Sequence, residues 1–108
     1  IILISSSAAF FGYPLRTPYT ACKWALIGFM KTIAMELGPQ GIHIAHIVVD
    51  GLIDSPRVRE RLPDRVAAAG EDGMLNPADI AEQYLQIHQQ PKSAWTFELD
   101  LRPWKEKF

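Results

Sequence analysis

Two aliphatic-rich runs, at 1–5 and 42–49, and a last strand-like segment at 96–101 are too far apart in the chain to close as hairpins, and the stretches between them read as helices. The first run, Ile1-Ile2-Leu3-Ile4, has three β-branched residues and no polar alternation, the pattern of a strand buried on both faces. Strand, helix, strand, helix, strand predicts parallel pairing through right-handed crossovers. The fold class is therefore α/β, a parallel, Rossmann-like sheet in partial form. A sequence that opens inside a central strand, without a methionine, reads as a piece of a longer chain.

Punctuation fixes the elements. Thr17 is a fair N-cap, and Pro18 suits a first helical position, where no amide hydrogen is needed. Gly38-Pro39 ends that helix. The polar stretch 50–76 holds a short helix near 57–69. Asn76-Pro77-Ala78-Asp79 starts another helix with a cap and an early carboxylate, and Pro91 ends it near Gln90. Trp95, Trp104 and Phe108 read as residues that pack the C-terminal tail. Helix 18–37 is apolar nearly all round, from Trp24 and Leu26 to Phe29, Met30 and Met35. Such a helix is buried on more than one side: one side against the sheet, the other against a second subunit or under a missing part of the same chain.

Within that helix Tyr19 and Lys23 are four residues apart, hence on one face. Ser6 stands thirteen residues before the tyrosine. A phenol has a reference pKa of about 10, too high for easy proton exchange at neutral pH, and a nearby cation favours phenolate. A hydroxyl beside the pair can hold a carbonyl oxygen while the phenol gives or takes a proton. These parts interconvert an alcohol and a ketone once a hydride carrier is supplied.

The net charge of -1 gives no reason to expect nucleic acid or an anionic membrane as partner. The apolar stretch 24–30 is too short to span a bilayer. No secretory leader is apparent, and a single cysteine suits a reducing compartment, so a cytoplasmic location is expected. Cys22 reads as a buried structural thiol. His43 and His46 fall three apart on a predicted strand, point to opposite faces and pack rather than chelate; no metal site is expected. Arg57, Arg59, Arg61 and Arg65, diluted by Glu60 and Asp64, read as a solvated helix face.

Ser-x12-Tyr-x3-Lys after an aliphatic strand ending in Ser5-Ser6 resembles the short-chain dehydrogenase/reductase family. Further likenesses follow in order. Gly12 and Pro14 fall in the family's loop. Glu36-Leu37-Gly38-Pro39-Gln40-Gly41-Ile42 resembles its link to the next strand. Asp50-Gly51-Leu52-Ile53-Asp54-Ser55 resembles its Pro-Gly-x-x-x-Thr turn, and Asn76-Pro77-Ala78-Asp79-Ile80-Ala81 resembles the start of its late helix. The resemblance implies a general acid/base role for Tyr19. It implies that Lys23 holds the nicotinamide ribose and assists ionisation of the phenol, and that Ser6 binds the substrate oxygen. Gly51, Ile53 and Ser55 would receive the nicotinamide end of NAD or NADP. It implies a small carbonyl or alcohol substrate, a substrate loop over about 50–75, and a homo-oligomer through helix 18–37. Residues 1–108 would be the C-terminal part of a single Rossmann-like dehydrogenase domain. Five features depart from the pattern: no glycine-rich phosphate loop, no acidic or basic residue to choose between the two dinucleotides, no helix asparagine upstream of the strand-end serine, Asp50 in place of the proline, and a link from Gly41 to Gly51 one residue longer than usual. The alternative reading is a catalytically inactive truncated fragment or an interaction module that keeps the dimerisation helix.

Overall fold

The computed structural model describes residues 1–107. Its strands are β1 (Ile2–Ser6), β2 (Ala45–Val49) and β3 (Glu98–Leu101). They form one sheet in the order β1-β2-β3, parallel throughout, with Ile4 opposite Ile47 and Ile47 opposite Leu99. The long helix α1 (Thr17–Leu37) joins β1 to β2. Two short helices, α2 (Pro56–Arg61) and α3 (Pro63–Ala69), and then α4 (Pro77–His88), lie between β2 and β3.

Both faces of the central strand β2 are covered, whereas Ile4 of β1 is half exposed on the α4 face, so β1 is not buried on both faces as expected. Ala45, Ile47 and Val49 point to the face carrying α4 and form the main core with Ile80 and Ile87. His46 and Val48, by strand alternation, point the other way, where Phe10 approaches the His46 ring at 6.4 Å and α1 packs on β1 and β2. The expected right-handedness of both crossovers does not hold. Both step in the same direction across the sheet but lie over opposite faces, so they have opposite hands. The long segment after β2 is what allows this, because it carries the chain around the end of the sheet before α4 begins.

That segment is pinched at its base. Leu75 donates to the Leu52 carbonyl and Asp54 donates to the Leu75 carbonyl, both at 2.8 Å, which makes a one-rung parallel bridge between Ile53 and Leu75. Everything from 54 to 74 is an excursion from this neck. Pro63, following Leu62, splits the single helix expected at 57–69 into α2 and α3.

Other boundaries shift for local reasons. Arg16 occupies the N-cap of α1 with no side-chain hydrogen bond, so Thr17 is the first helical residue rather than the cap. Asn76 caps α4 as expected, its side chain accepting from Ala78 N–H. β2 begins at Ala45 rather than Ile42. Gly41 is left-handed (φ 78°), and His43 is drawn aside to stack on Trp95 (4.7 Å between ring centres) and to bond the Thr96 carbonyl through Nε2 at 2.7 Å. Only Met30 of α1 is buried; Trp24, Phe29 and Met35 are exposed, so no second side of α1 is covered among the described residues. Cys22 is exposed, contrary to the buried thiol expected from sequence. Trp104 is also exposed, with Lys105 rather than an apolar neighbour 5.2 Å from its ring centre, and does not anchor the tail. Phe108 lies outside the described residues.

Candidate active site

In a parallel sheet all strands end on one edge, and the polar residues singled out by sequence gather there. Ser6 is the last residue of β1 and caps a 3-10 turn, Ser7–Ala9. Its Oγ accepts from Ala8 N–H at 3.3 Å. A hydroxyl used as an acceptor still has its own proton to donate. Its neighbours differ: Ser5 and Ser7 are buried, and Ser7 Oγ is 2.9 Å from the Tyr13 hydroxyl, whereas Ser6 remains partly exposed.

Helix α1 packs against that 3-10 turn and starts close after it. Pro18 fixes its first turn, and Tyr19 and Lys23 follow on one face, with Lys23 Nζ 5.6 Å from the centre of the Tyr19 ring. Lys23 Nζ also donates to the Ile4 carbonyl at 3.1 Å. This carbonyl lies on the outer edge of β1. Ala45 N–H bonds Ile1 O, and alternate residues of a strand bond to opposite sides, so Ile2, Ile4 and Ser6 direct their backbone groups away from β2. Lys23 therefore ties α1 to β1 two residues before Ser6. An ammonium has three donors, and this bond uses one.

The turn after β2 lies beside them. Ser6 is opposite Val49, so Gly51 stands two residues past the partner of Ser6. Gly51 has φ 142°, a conformation suited to glycine. Ile53 turns its side chain into the α4 core. In its bridge to Leu75 the bonds come from Leu52 and Asp54, which leaves the N–H and C=O of Ile53 directed away from Leu75. Ser55 caps α2, its Oγ accepting from Val58 N–H. The structure thus brings Tyr19 and Lys23 together, sets Ser6 and Gly51 on adjacent strand ends, and puts Ser55 farther along at the root of α2.

Sequence reasoning missed four contacts of charged side chains around this edge. Arg59 grips Asp54 through two bonds of 2.6 and 2.7 Å. That hydrogen bonding, and then the guanidinium charge, lowers the Asp54 pKa below the usual carboxylate range. Arg102 Nη2 lies 2.8 Å from Asp50 Oδ2 and 2.7 Å from Asp100 Oδ2, and the Asp100 hydrogen bond is the main cause of its raised pKa. Lys105 bonds the Glu71 carbonyl and so links the tail to the excursion. A spacing of five on the edge of a helix signals Asp54–Arg59 and a spacing of two signals Asp100–Arg102; nothing local signals Asp50–Arg102 or Lys105–Glu71. Among the described residues no three His, Cys, Asp or Glu side chains gather in a metal-like group, and no helix is long and apolar enough to cross a membrane.

A parallel α/β sheet with these groups at its carboxyl edge defines a Rossmann-like fold. Residues 1–66 match the short chain dehydrogenase family, and the chain belongs to it. It is 28% identical over 85 residues to D-beta-hydroxybutyrate dehydrogenase of Rhizobium meliloti (strain 1021), covering 77% of this chain and 33% of that protein. The structure of a short-chain dehydrogenase from Rhodopseudomonas palustris superposes with a TM-score of 0.68 at 31% identity, over 96% of this chain and 38% of that one. 4-hydroxyisoleucine dehydrogenase complexed with NADH and succinate gives 0.76 at 27% identity, over 95% and 44%. The chain spans a third of the length of the first relative and less than half of these structures.

Proposed function

We propose that this chain is the C-terminal part of one Rossmann-like domain in an NAD- or NADP-dependent oxidoreductase that interconverts a small carbonyl compound and an alcohol. The observation that carries the reading is the Tyr19–Lys23 pair on one helix face, tied by Lys23 to the strand that ends in Ser6. The bound nicotinamide supplies or accepts the hydride. The chain's own residues do the rest. Tyr19, partly exposed, exchanges a proton with the substrate oxygen at its hydroxyl. Ser6 donates its remaining proton to the same oxygen and orients it. Lys23 keeps two donors for the ribose hydroxyls and brings a positive charge to the phenol.

The residues fit the nicotinamide end of such a cofactor. Gly51 lets the backbone turn closely, and the outward N–H and C=O of Ile53 suit a carboxamide, which carries both an acceptor and donors. The Ser55 hydroxyl stands beyond them. No Gly-x-Gly-x-x-Gly sequence that could cradle the pyrophosphate is present in residues 1–108. The excursion between Ile53 and Leu75 is the natural cover for a substrate. The uncovered apolar residues Trp24, Phe29 and Met35 support a homo-oligomer contact along α1.

The test is Tyr19→Phe in the complete protein. It keeps ring volume and removes the proton-exchanging group. Turnover should fall by about 10²–10⁴-fold, with an unchanged circular dichroism spectrum. A folded Tyr19→Phe protein with near-normal turnover overturns the reading.

A further inference from the structure

Asp50 and Arg102 stand one residue past the ends of β2 and β3, where Asp50 N–H donates to the Leu101 carbonyl at 2.8 Å. Their side chains meet at 2.8 Å and are only 13% and 17% exposed, against 44% for Asp100 on the other side of the same guanidinium nitrogen. The next residues also touch: a Cβ on Gly51 would lie 2.7 Å from Pro103 Cδ. Two strand exits are thus held together twice, by an enclosed ion pair and by a close backbone-to-ring contact. One of these exits leads directly into the Gly51–Ser55 turn.

An aspartate leaves its own φ free, whereas a proline would fix it. With Asp50 at the head of this turn, the restraint has to come from outside it. A surface ion pair contributes little because water and salt screen it. This pair is mostly enclosed, and it draws together two segments that the sheet already sets side by side. We propose that Arg102, acting through Asp50, is a positioning residue for the turn that receives the nicotinamide end of the cofactor. The proposal rests on the dehydrogenase reading above. Arg102 touches neither substrate nor cofactor in this scheme; it sets the height and angle at which Gly51 and Ile53 present their backbone.

The experiment compares two ligands on the complete protein: the reduced dinucleotide it uses, and ADP-ribose (or its 2′-phosphate), which lacks nicotinamide. Affinities are measured by calorimetry for wild type, Arg102→Met, Asp50→Asn and the double variant. Arg102→Met should weaken the dinucleotide by about tenfold, the weight of one misplaced hydrogen bond, and ADP-ribose by less than about twofold. Asp50→Asn should give the same split, and the double variant should be no worse than Arg102→Met alone. Equal losses for both ligands, or no loss for either, overturn the positioning role. If Arg102→Met does not fold, Arg102→Lys and Asp50→Asn decide the matter on the same criterion. A wild-type protein that binds neither ligand overturns the dehydrogenase reading and this proposal with it. Wild-type binding without the split overturns the positioning role alone.

Discussion

Gly51→Ala is the sharpest test of the turn, because two separate costs can be worked from its surroundings. The residue has φ 142°, a region that side chains rarely enter. Forcing alanine there costs about 1–3 kcal/mol. The new methyl would also meet Pro103 Cδ at 2.7 Å and Cγ at 3.2 Å, with Glu106 Oε2 at 3.5 Å. Pro103 is buried and its ring is stiff, so relief requires moving the backbone that carries Arg102. Overpacking of that kind costs about another 1–3 kcal/mol, for a total of about 2–6 kcal/mol. Urea unfolding of the complete protein, followed by circular dichroism and extrapolated linearly, reads this loss. Gly12→Ala is the control: a Cβ there meets nothing within 4 Å, and the effect should run from neutral to a gain of about 1 kcal/mol. Repeating Gly51→Ala in a Pro103→Ala background should leave only the backbone part, about 1–3 kcal/mol. A Gly51→Ala loss under about 0.5 kcal/mol, the size of an ordinary surface change, would refute the described conformation of the turn.

Two pH dependences follow from the shifted groups. The Asp54 pKa is lowered by Arg59, so its pairing is fully present above the unfolded value of about 3.9 and is lost as pH falls through the lower folded value. Protection of the α2 amides, corrected for the intrinsic pH dependence of exchange, should therefore fall slightly as pH drops below about 4, and Arg59→Ala should remove that dependence. Burial against the α4 core raises the Tyr84 pKa, so folding disfavours its phenolate and stability should drop as pH climbs from about 10 toward the folded value. Alkaline unfolding compared with Tyr84→Phe checks this; an identical alkaline limb in the two proteins would remove Tyr84 as its cause.

The helix α1 was legible at both ends because proline and glycine punctuate it there, the first two strands because aliphatic-rich runs of that length have few other uses, and the third because leucines alternate with acidic residues in Glu98–Leu101. The strand limits were less so. Nothing in Gly41–Ile44 announces that His43 will stack on Trp95, more than fifty residues on, and leave the ladder. The split at Pro63 was readable from the proline alone, yet helix-forming neighbours on both sides masked it. The hands of the crossovers depend on which face α4 chooses, and that depends on the route of a long polar segment with no strong local preference. Tyr19 and Lys23 could be paired from spacing because a helix makes i and i+4 neighbours wherever it sits. Asp50 and Arg102 could not, since only the register of β2 against β3 makes them meet.

The one-rung bridge between Ile53 and Leu75 has an engineering meaning. It fixes the two ends of the 54–74 excursion whatever lies between them. Closing a loop twice as long costs only about 0.6 kcal/mol more, so length is nearly free at this position. The sheet, the Tyr19–Lys23 face and the Asp50–Arg102 contact all lie outside the bridge, whereas Ser55 and the Glu71 carbonyl held by Lys105 lie within it. The part of the excursion between Ser55 and Glu71 is thus a replaceable cassette, which can be exchanged or extended to accept a different molecule without rewriting the strands beneath it.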